Sequence, residues 1–209
     1  MKRVLLISLA LLLTFVLASG TWYMYKMKAT PPNRVKAPGT SLYRKLHGRA
    51  ASLKEYAAAN KCNTTICFLV DMKIESGKNR FFIYDMKKDS VIGSSLVTHG
   101  RCNENWLKGR KYGNEPGCGC TSLGRYKIGN PYQGKFGLAY KLYGLDQSNS
   151  NAFKRFVVLH SHECVPNTEV DPYPICQSDG CPTVSKIFLT RLAAILDGSD
   201  KPVLMQIYE

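Results

Sequence analysis

The chain has 209 residues and a formal charge of +14, with 29 Lys and Arg against 15 Asp and Glu. After a short leader, that length leaves room for one domain, and no internal repeat divides it. The charge suits an anionic cell-envelope polymer or a membrane surface; nucleic acid, its other reading, is set aside because the N-terminus signals export and no nucleic-acid motif is present.

Lys2 and Arg3 precede an apolar run from Val4 to Ala18, followed by Ser19-Gly20 and the aromatic stretch Thr21-Trp22-Tyr23-Met24-Tyr25. A basic start, an apolar middle and small residues at Ala18 and Gly20 make a secretory signal. With Trp22 to Tyr25 included, the run also approaches the ~20 residues that span a bilayer. Residues 1–25 are therefore a signal peptide or an N-terminal hydrophobic helix that anchors the protein in the membrane. Either way the protein is exported to the cell envelope. Residues 26–40, rich in Lys, Arg and Pro, form a linker. Residues 41–209 form the remaining domain.

Within that domain, Ser41 to Ala59 has helical spacing, with Leu42, Leu46, Leu53 and Tyr56 along it and Ser41 as N-cap. The pattern then changes to strands. Ile66 to Val70 is an apolar run, and Arg80 to Asp85 and Ser90 to Thr98 form a hairpin across Met86-Lys87-Lys88-Asp89. Thr121 to Ile128, Leu138 to Tyr143, Phe156 to His160 and Val203 to Tyr208 supply further short strands. A second helix covers Val184 to Leu196, with Val184, Phe188, Leu192 and Ile195 on one face. These elements predict a mainly β fold, a sandwich or mixed sheet with flanking helices.

Eight cysteines in an exported chain imply disulfides. Cys62 with Cys67 and Cys164 with Cys176 are local pairs that close at low cost, and Cys102 is within reach of Cys118 or Cys120. If Cys181 is a free thiol, the other seven cannot all pair.

The chemistry concentrates near the C-terminus. His160 ends the apolar run Val157-Val158-Leu159, and Ser178-Asp179-Gly180-Cys181 lies just ahead of the second helix, with the cysteine twenty-one residues after the histidine. A thiolate is favoured near exposed N–H groups, and a nearby imidazole would activate it as a nucleophile. The same residues also describe a buried strand-end histidine and a disulfide cysteine.

Four motifs sharpen the reading. They are Val97-Thr98-His99-Gly100, Thr121-Ser122-Leu123-Gly124, Val157-Val158-Leu159-His160-Ser161 and Ser178-Asp179-Gly180-Cys181-Pro182. From about Leu42 onward the chain resembles the murein L,D-transpeptidase catalytic-domain family, a branch of the YkuD-like L,D-transpeptidases. The resemblance implies their β-sandwich or mixed sheet and a cysteine enzyme that needs no cofactor and no metal. Cys181 would attack a stem-peptide bond of peptidoglycan to form a thioester, with His160 as base and the Ser161 carbonyl orienting its ring. Gly180 and Cys181 N–H groups would form the oxyanion hole, and Ser178 would hydrogen-bond within the loop. The acyl group would pass to an amine or to water. Thr121 stands where the branch carries Ser, Ser161 where it carries Gly, and Asp179 where the wider superfamily has a second His. A carboxylate at Asp179 would raise the thiol pKa.

Other residues have two readings. His99 is a substrate-side residue or a hydrogen-bonded strand-end histidine. Arg125, Lys108 and Lys111 would contact stem carboxylates or form a solvated basic face. His160, His162 and Cys164, joined by Cys118 and Cys120, have the ligand types of a zinc-dependent peptidoglycan hydrolase. A non-catalytic envelope-binding module, with Cys181 in a disulfide, is the remaining alternative.

Overall fold

Strand β1, Ile66–Asp71, is apolar at nearly every position, and the fold is arranged around it. The computed structural model describes residues 39–209, so the expected N-terminal hydrophobic helix and most of the linker lie outside the described residues. Alternate side chains of a strand point to opposite faces. Cys67 and Leu69 accordingly face helix α1, Thr40–Ala59, through its Leu46, Ala50, Leu53 and Ala57. Phe68 and Val70 face the main core. Burial on both faces explains why β1 reads as a continuous apolar run rather than an alternating one.

The other strands are β2 (Phe81–Asp85), β3 (Ser90–Ser95), β4 (Gly124–Gly134), β5 (Gly137–Gly144), β6 (Val158–Ser161), β7 (Thr183–Val184) and β8 (Leu204–Tyr208). They form one eight-stranded sheet in the order β3-β2-β1-β8-β4-β5-β6-β7. The β1–β8 and β6–β7 pairs are parallel and the others antiparallel. One core gathers Phe68 and Phe81 from one end of the sheet, Tyr126, Leu142 and Leu159 from the other, and Phe188 and Leu192 of helix α2, Lys186–Asp197. The sheet therefore curls around α2, and α1 covers the opposite face of its β1–β2–β8 part. Among the described residues, no helix is long and apolar enough to cross a membrane.

Several boundaries differ from the sequence expectation. Ser41 is not the N-cap of α1; Gly39 holds that position without a side-chain hydrogen bond. Thr121 to Leu123 are irregular, and β4 instead continues through Asn130-Pro131 to Gly134. Pro131 is accommodated because the register shifts between Ile128 and Pro131. The short strand β7 takes Val184, the first residue of the expected helix, and pairs with β6 before α2 begins behind its Ser185 cap.

Two disulfides form, Cys164–Cys176 as expected and Cys102–Cys120 of the two alternatives for Cys102. Cys62 and Cys67 are not joined. Both are buried among the apolar side chains between α1 and the sheet, and that packing holds them as ordinary core residues. Burial pushes the Cys67 thiol up to about 12.

Candidate active site

The parallel pairing of β6 with β7 sets His160 beside Thr183, two residues past Cys181. Leu159 points into the core, so His160 emerges on the outer face of β6. It lines a cavity of about 480 Å³ with Cys181, Thr98, Arg101, Trp106, Phe136, Gln177 and the Cys164–Cys176 disulfide among the walls. That volume is in the range of ordinary ligand sites.

Hydrogen-bond chemistry assigns the His160 tautomer. Nδ1 lies 3.1 Å from the Ser161 carbonyl, which can only accept, so Nδ1 carries the proton and Nε2 the lone pair. Nε2 accepts from the Thr183 hydroxyl at 3.1 Å. Phe136, from the β4–β5 turn, stacks on the ring at 4.5 Å between centroids. Burial holds the imidazole below its ordinary pKa; the Ser161 carbonyl partly opposes this, and His162 adds to it.

The nucleophile loop is tied to the segment carrying His99. Ser178 N–H donates to the His99 carbonyl at 2.9 Å, and Arg101 N–H to the Ser178 carbonyl at 2.9 Å. Ser178 Oγ accepts from Gly180 N–H at 3.2 Å and donates to the Cys181 carbonyl at 2.7 Å, and Thr98 Oγ1 also donates to that carbonyl. Ser178 is thus the loop's internal staple. Gly180 N–H, expected in the oxyanion hole, is spent on Ser178, which leaves the Cys181 N–H free of partners among the described residues. Gly180 has φ +104°, and a Cβ there would lie 2.6 Å from the Cys120 carbonyl.

Cys181 and His160 share the cavity with no hydrogen bond between their side chains. Cys181 Sγ accepts from Val158 N–H at 3.4 Å and lies 3.8 Å from the Phe156 carbonyl. Burial raises its pKa; the Val158 N–H and then the Arg155 guanidinium oppose this, and Asp179 adds a smaller push upward. Asp179 is paired with Arg101 at 2.7 Å, which offsets part of its charge. Arg155 reaches behind the loop, donating to the Gly113 carbonyl at 2.9 Å, to Ser122 Oγ, and to the Cys120 carbonyl at 2.6 Å.

The remaining candidates lie elsewhere. His99 is buried beneath the loop, between Arg80 Nη2 at 3.1 Å and the Gln177 amide at 3.3 Å, with its pKa lowered to about 4 by burial and then by Arg80. It belongs to the loop's support and not to the cavity wall. Arg125, also expected on the substrate side, is committed to Asp146 and lies 4.3 Å over the Tyr56 ring, away from the cavity. Lys108 and Lys111 do not line the cavity. Cys164 and Cys120 are oxidised into disulfides, so two proposed zinc thiolates are taken. Sequence reasoning missed Phe136, Thr183, Arg101, Trp106 and Arg155, none of which sits in a motif of reactive residue types. Pro182 in the nucleophile box and the apolar Val184 obscured the short strand that brings Thr183 to His160.

A histidine and a cysteine at the edge of a mixed sheet, over a carbonyl-oriented imidazole, have the parts of a thiol acyl-transfer site. Residues 40–205 match the family model described as L,D-transpeptidase catalytic domain, and the chain belongs to that family. No curated protein matches the chain. Solved structures similar to it include the helical cell shape determining protein Pgp2 from Campylobacter jejuni, at 14% identity and TM-score 0.45 over 69% of this chain and 48% of that one. The Ldtfm–avibactam carbamoyl enzyme is similar at 11% identity and TM-score 0.42, over 69% of this chain and 49% of that one. An L,D-transpeptidase from Xylanimonas cellulosilytica DSM 15894 is similar at 14% identity and TM-score 0.40, over 74% and 68%. The chain spans about half the length of the first two.

Proposed function

We propose that this protein is a cysteine-dependent L,D-transpeptidase or L,D-carboxypeptidase acting on peptidoglycan stem peptides at the cell envelope, exported by its N-terminal segment. The observation that carries the proposal is the His160 tautomer. A Ser161 carbonyl on Nδ1 leaves Nε2 as a proton acceptor facing the cavity that Cys181 also lines.

For reaction, Sγ must turn from Val158 toward Nε2, displacing the Thr183 hydroxyl. Nε2 then takes the thiol proton as general base. Sγ attacks the carbonyl carbon at the L-to-D bond of the stem, and the Cys181 N–H receives the developing oxyanion. As the C–N bond breaks, Nε2–H protonates the departing amine and a thioester remains. An incoming amine or water attacks the thioester and gives its proton to Nε2; the carbonyl–sulfur bond breaks and the thiol is restored. An amine acceptor yields a cross-link or a protein attachment, and water yields a trimmed stem.

The thiol held by the Val158 N–H and the His160 Nε2 occupied by the Thr183 hydroxyl also suit a second reading, a non-catalytic envelope-binding module with a buried thiol. One experiment separates them: incubate the full chain with purified muropeptides and read the products by mass. Stem-derived cross-links or trimmed stems, absent with Cys181→Ala, support the enzyme; unchanged muropeptides with intact binding support the module.

A further inference from the structure

A row of rings and ammonium groups leaves the mouth of the cavity and runs along the outer face of the β4–β5 hairpin. Register puts it on the same face as His160. Ala139 pairs with His160 and Lys141 with Val158. Lys141 and Tyr143 alternate with Tyr140 and Leu142, which point into the core. Lys127 lies opposite Tyr143, with Nζ 5.5 Å from that ring's centroid. Tyr143 stacks on Phe153 at 5.0 Å. Lys141 Nζ is 5.9 Å from the Phe153 centroid and 5.7 Å from that of Tyr132. At the hairpin tip, Lys135 lies 5.7 Å over Phe136, the ring stacked on His160. Between Phe136 and Tyr143 the strand covers about 23 Å at ~3.3 Å per residue.

Two observations give this row a ligand of definite chemistry. Phe153, Phe136 and Tyr132 are 52%, 47% and 36% exposed, so they contribute little to the core. Lys127, Lys135 and Lys141 have no carboxylate partner among the described residues; their ammonium groups rest on aromatic faces. A matching ligand offers flat apolar faces and carboxylates together. A pyranose ring has an apolar C–H face that packs on an aromatic ring, whose face is electron-rich.

We propose that this row binds stem-free stretches of the peptidoglycan glycan chain, whose lactyl groups end in free carboxylates, and holds the polymer so that a neighbouring stem peptide enters the cavity beside Phe136. The proposal rests on the functional reading above, because it takes the polymer's identity from that reaction. Single-stranded nucleic acid also uses stacking and positive charge, but the row is continuous with a cavity whose histidine and cysteine suit a peptide carbonyl.

The test uses the full-length chain and glycan strands stripped of their stem peptides, which offer the cavity no bond to attack. Wild-type protein is expected to bind these strands, and Cys181→Ala to bind equally. The triple variant Tyr132→Ser/Lys141→Gln/Phe153→Ser is expected to bind at least about tenfold more weakly with an unchanged melting temperature. If the triple variant melts low, Lys141→Gln alone decides, with an expected loss of about threefold. Wild type that ignores stripped glycan, or variants that bind as wild type, overturn the proposal even if muropeptides are turned over. A phosphatidylglycerol vesicle or a single-stranded oligonucleotide that loses affinity in the variants, while glycan does not, overturns it as well. Glycan binding lost in the variants without any muropeptide turnover keeps the row and removes only the reaction.

Discussion

Replacing Gly180 by alanine probes the loop that presents the thiol. Gly180 sits at φ +104°, outside the regions open to L side chains, and that conformation costs an alanine on the order of 1–3 kcal/mol. The added methyl would also stand 2.6 Å from the Cys120 carbonyl and 3.2 Å from Arg155 Nη2. The carbonyl is backbone, held in place by the Cys102–Cys120 disulfide and by Arg155, so the loop must move instead. A shift of about 1 Å at a reacting group is enough to lower turnover on the order of 10²-fold. The melting temperature should fall by about 2–12 °C for a domain of this size. Muropeptide turnover and a thermal melt, run side by side on Gly180→Ala and wild type, check both effects. An alanine variant with wild-type turnover would refute the reasoning, because it would mean that the loop geometry does not set the position of Sγ.

Arg155→Met should raise the pH midpoint of Cys181 alkylation and slow labelling at neutral pH, because the guanidinium opposes the upward push of burial; Arg155→Lys should recover part of the shift, and identical midpoints in all three proteins would remove Arg155 from thiol activation. His160 must be neutral to act as base, and burial lowers its pKa, so activity should persist below about pH 6.5, the ordinary histidine value, before falling in acid. An acid limb centred above that value contradicts the assignment. Alkylation of the folded, non-reduced protein should label Cys181 and leave Cys62 and Cys67 untouched until unfolding, while a disulfide map that joins Cys176 to Cys181 would exclude the nucleophile.

Much of this architecture is legible in residue patterns, and the exceptions have physical causes. Strand β1 and the β2–β3 hairpin stand out because apolar runs end at turn residues such as Asp89, which adopts φ +52°. The reach of β4 does not, because Pro131 argues against a strand until the register shift is seen. His160 and Cys181 could be named from their motifs, and the Ser161 carbonyl duly lies against the imidazole. The thiol's hydrogen bond to the Val158 N–H, in place of one to His160, is a side-chain orientation that no sequence pattern encodes. Arg125 misleads because a basic residue directly after a motif resembles a carboxylate binder, whereas Asp146, twenty-one residues on, is its partner. Arg155 escapes notice for the converse reason: it bonds backbone carbonyls and a serine hydroxyl, and those partners become neighbours only in the fold.

The central claim is that Cys181 carries the acyl group, and mass analysis of the protein itself tests it most directly. The full chain is mixed with a stem tetrapeptide, quenched in acid while turning over, and digested for peptide mapping. The expected result is an acyl adduct on the peptide bearing Cys181, labile to hydroxylamine and absent from Cys181→Ala, which should also release no product. Product formation by the alanine variant, or an adduct on any other residue, would contradict the account.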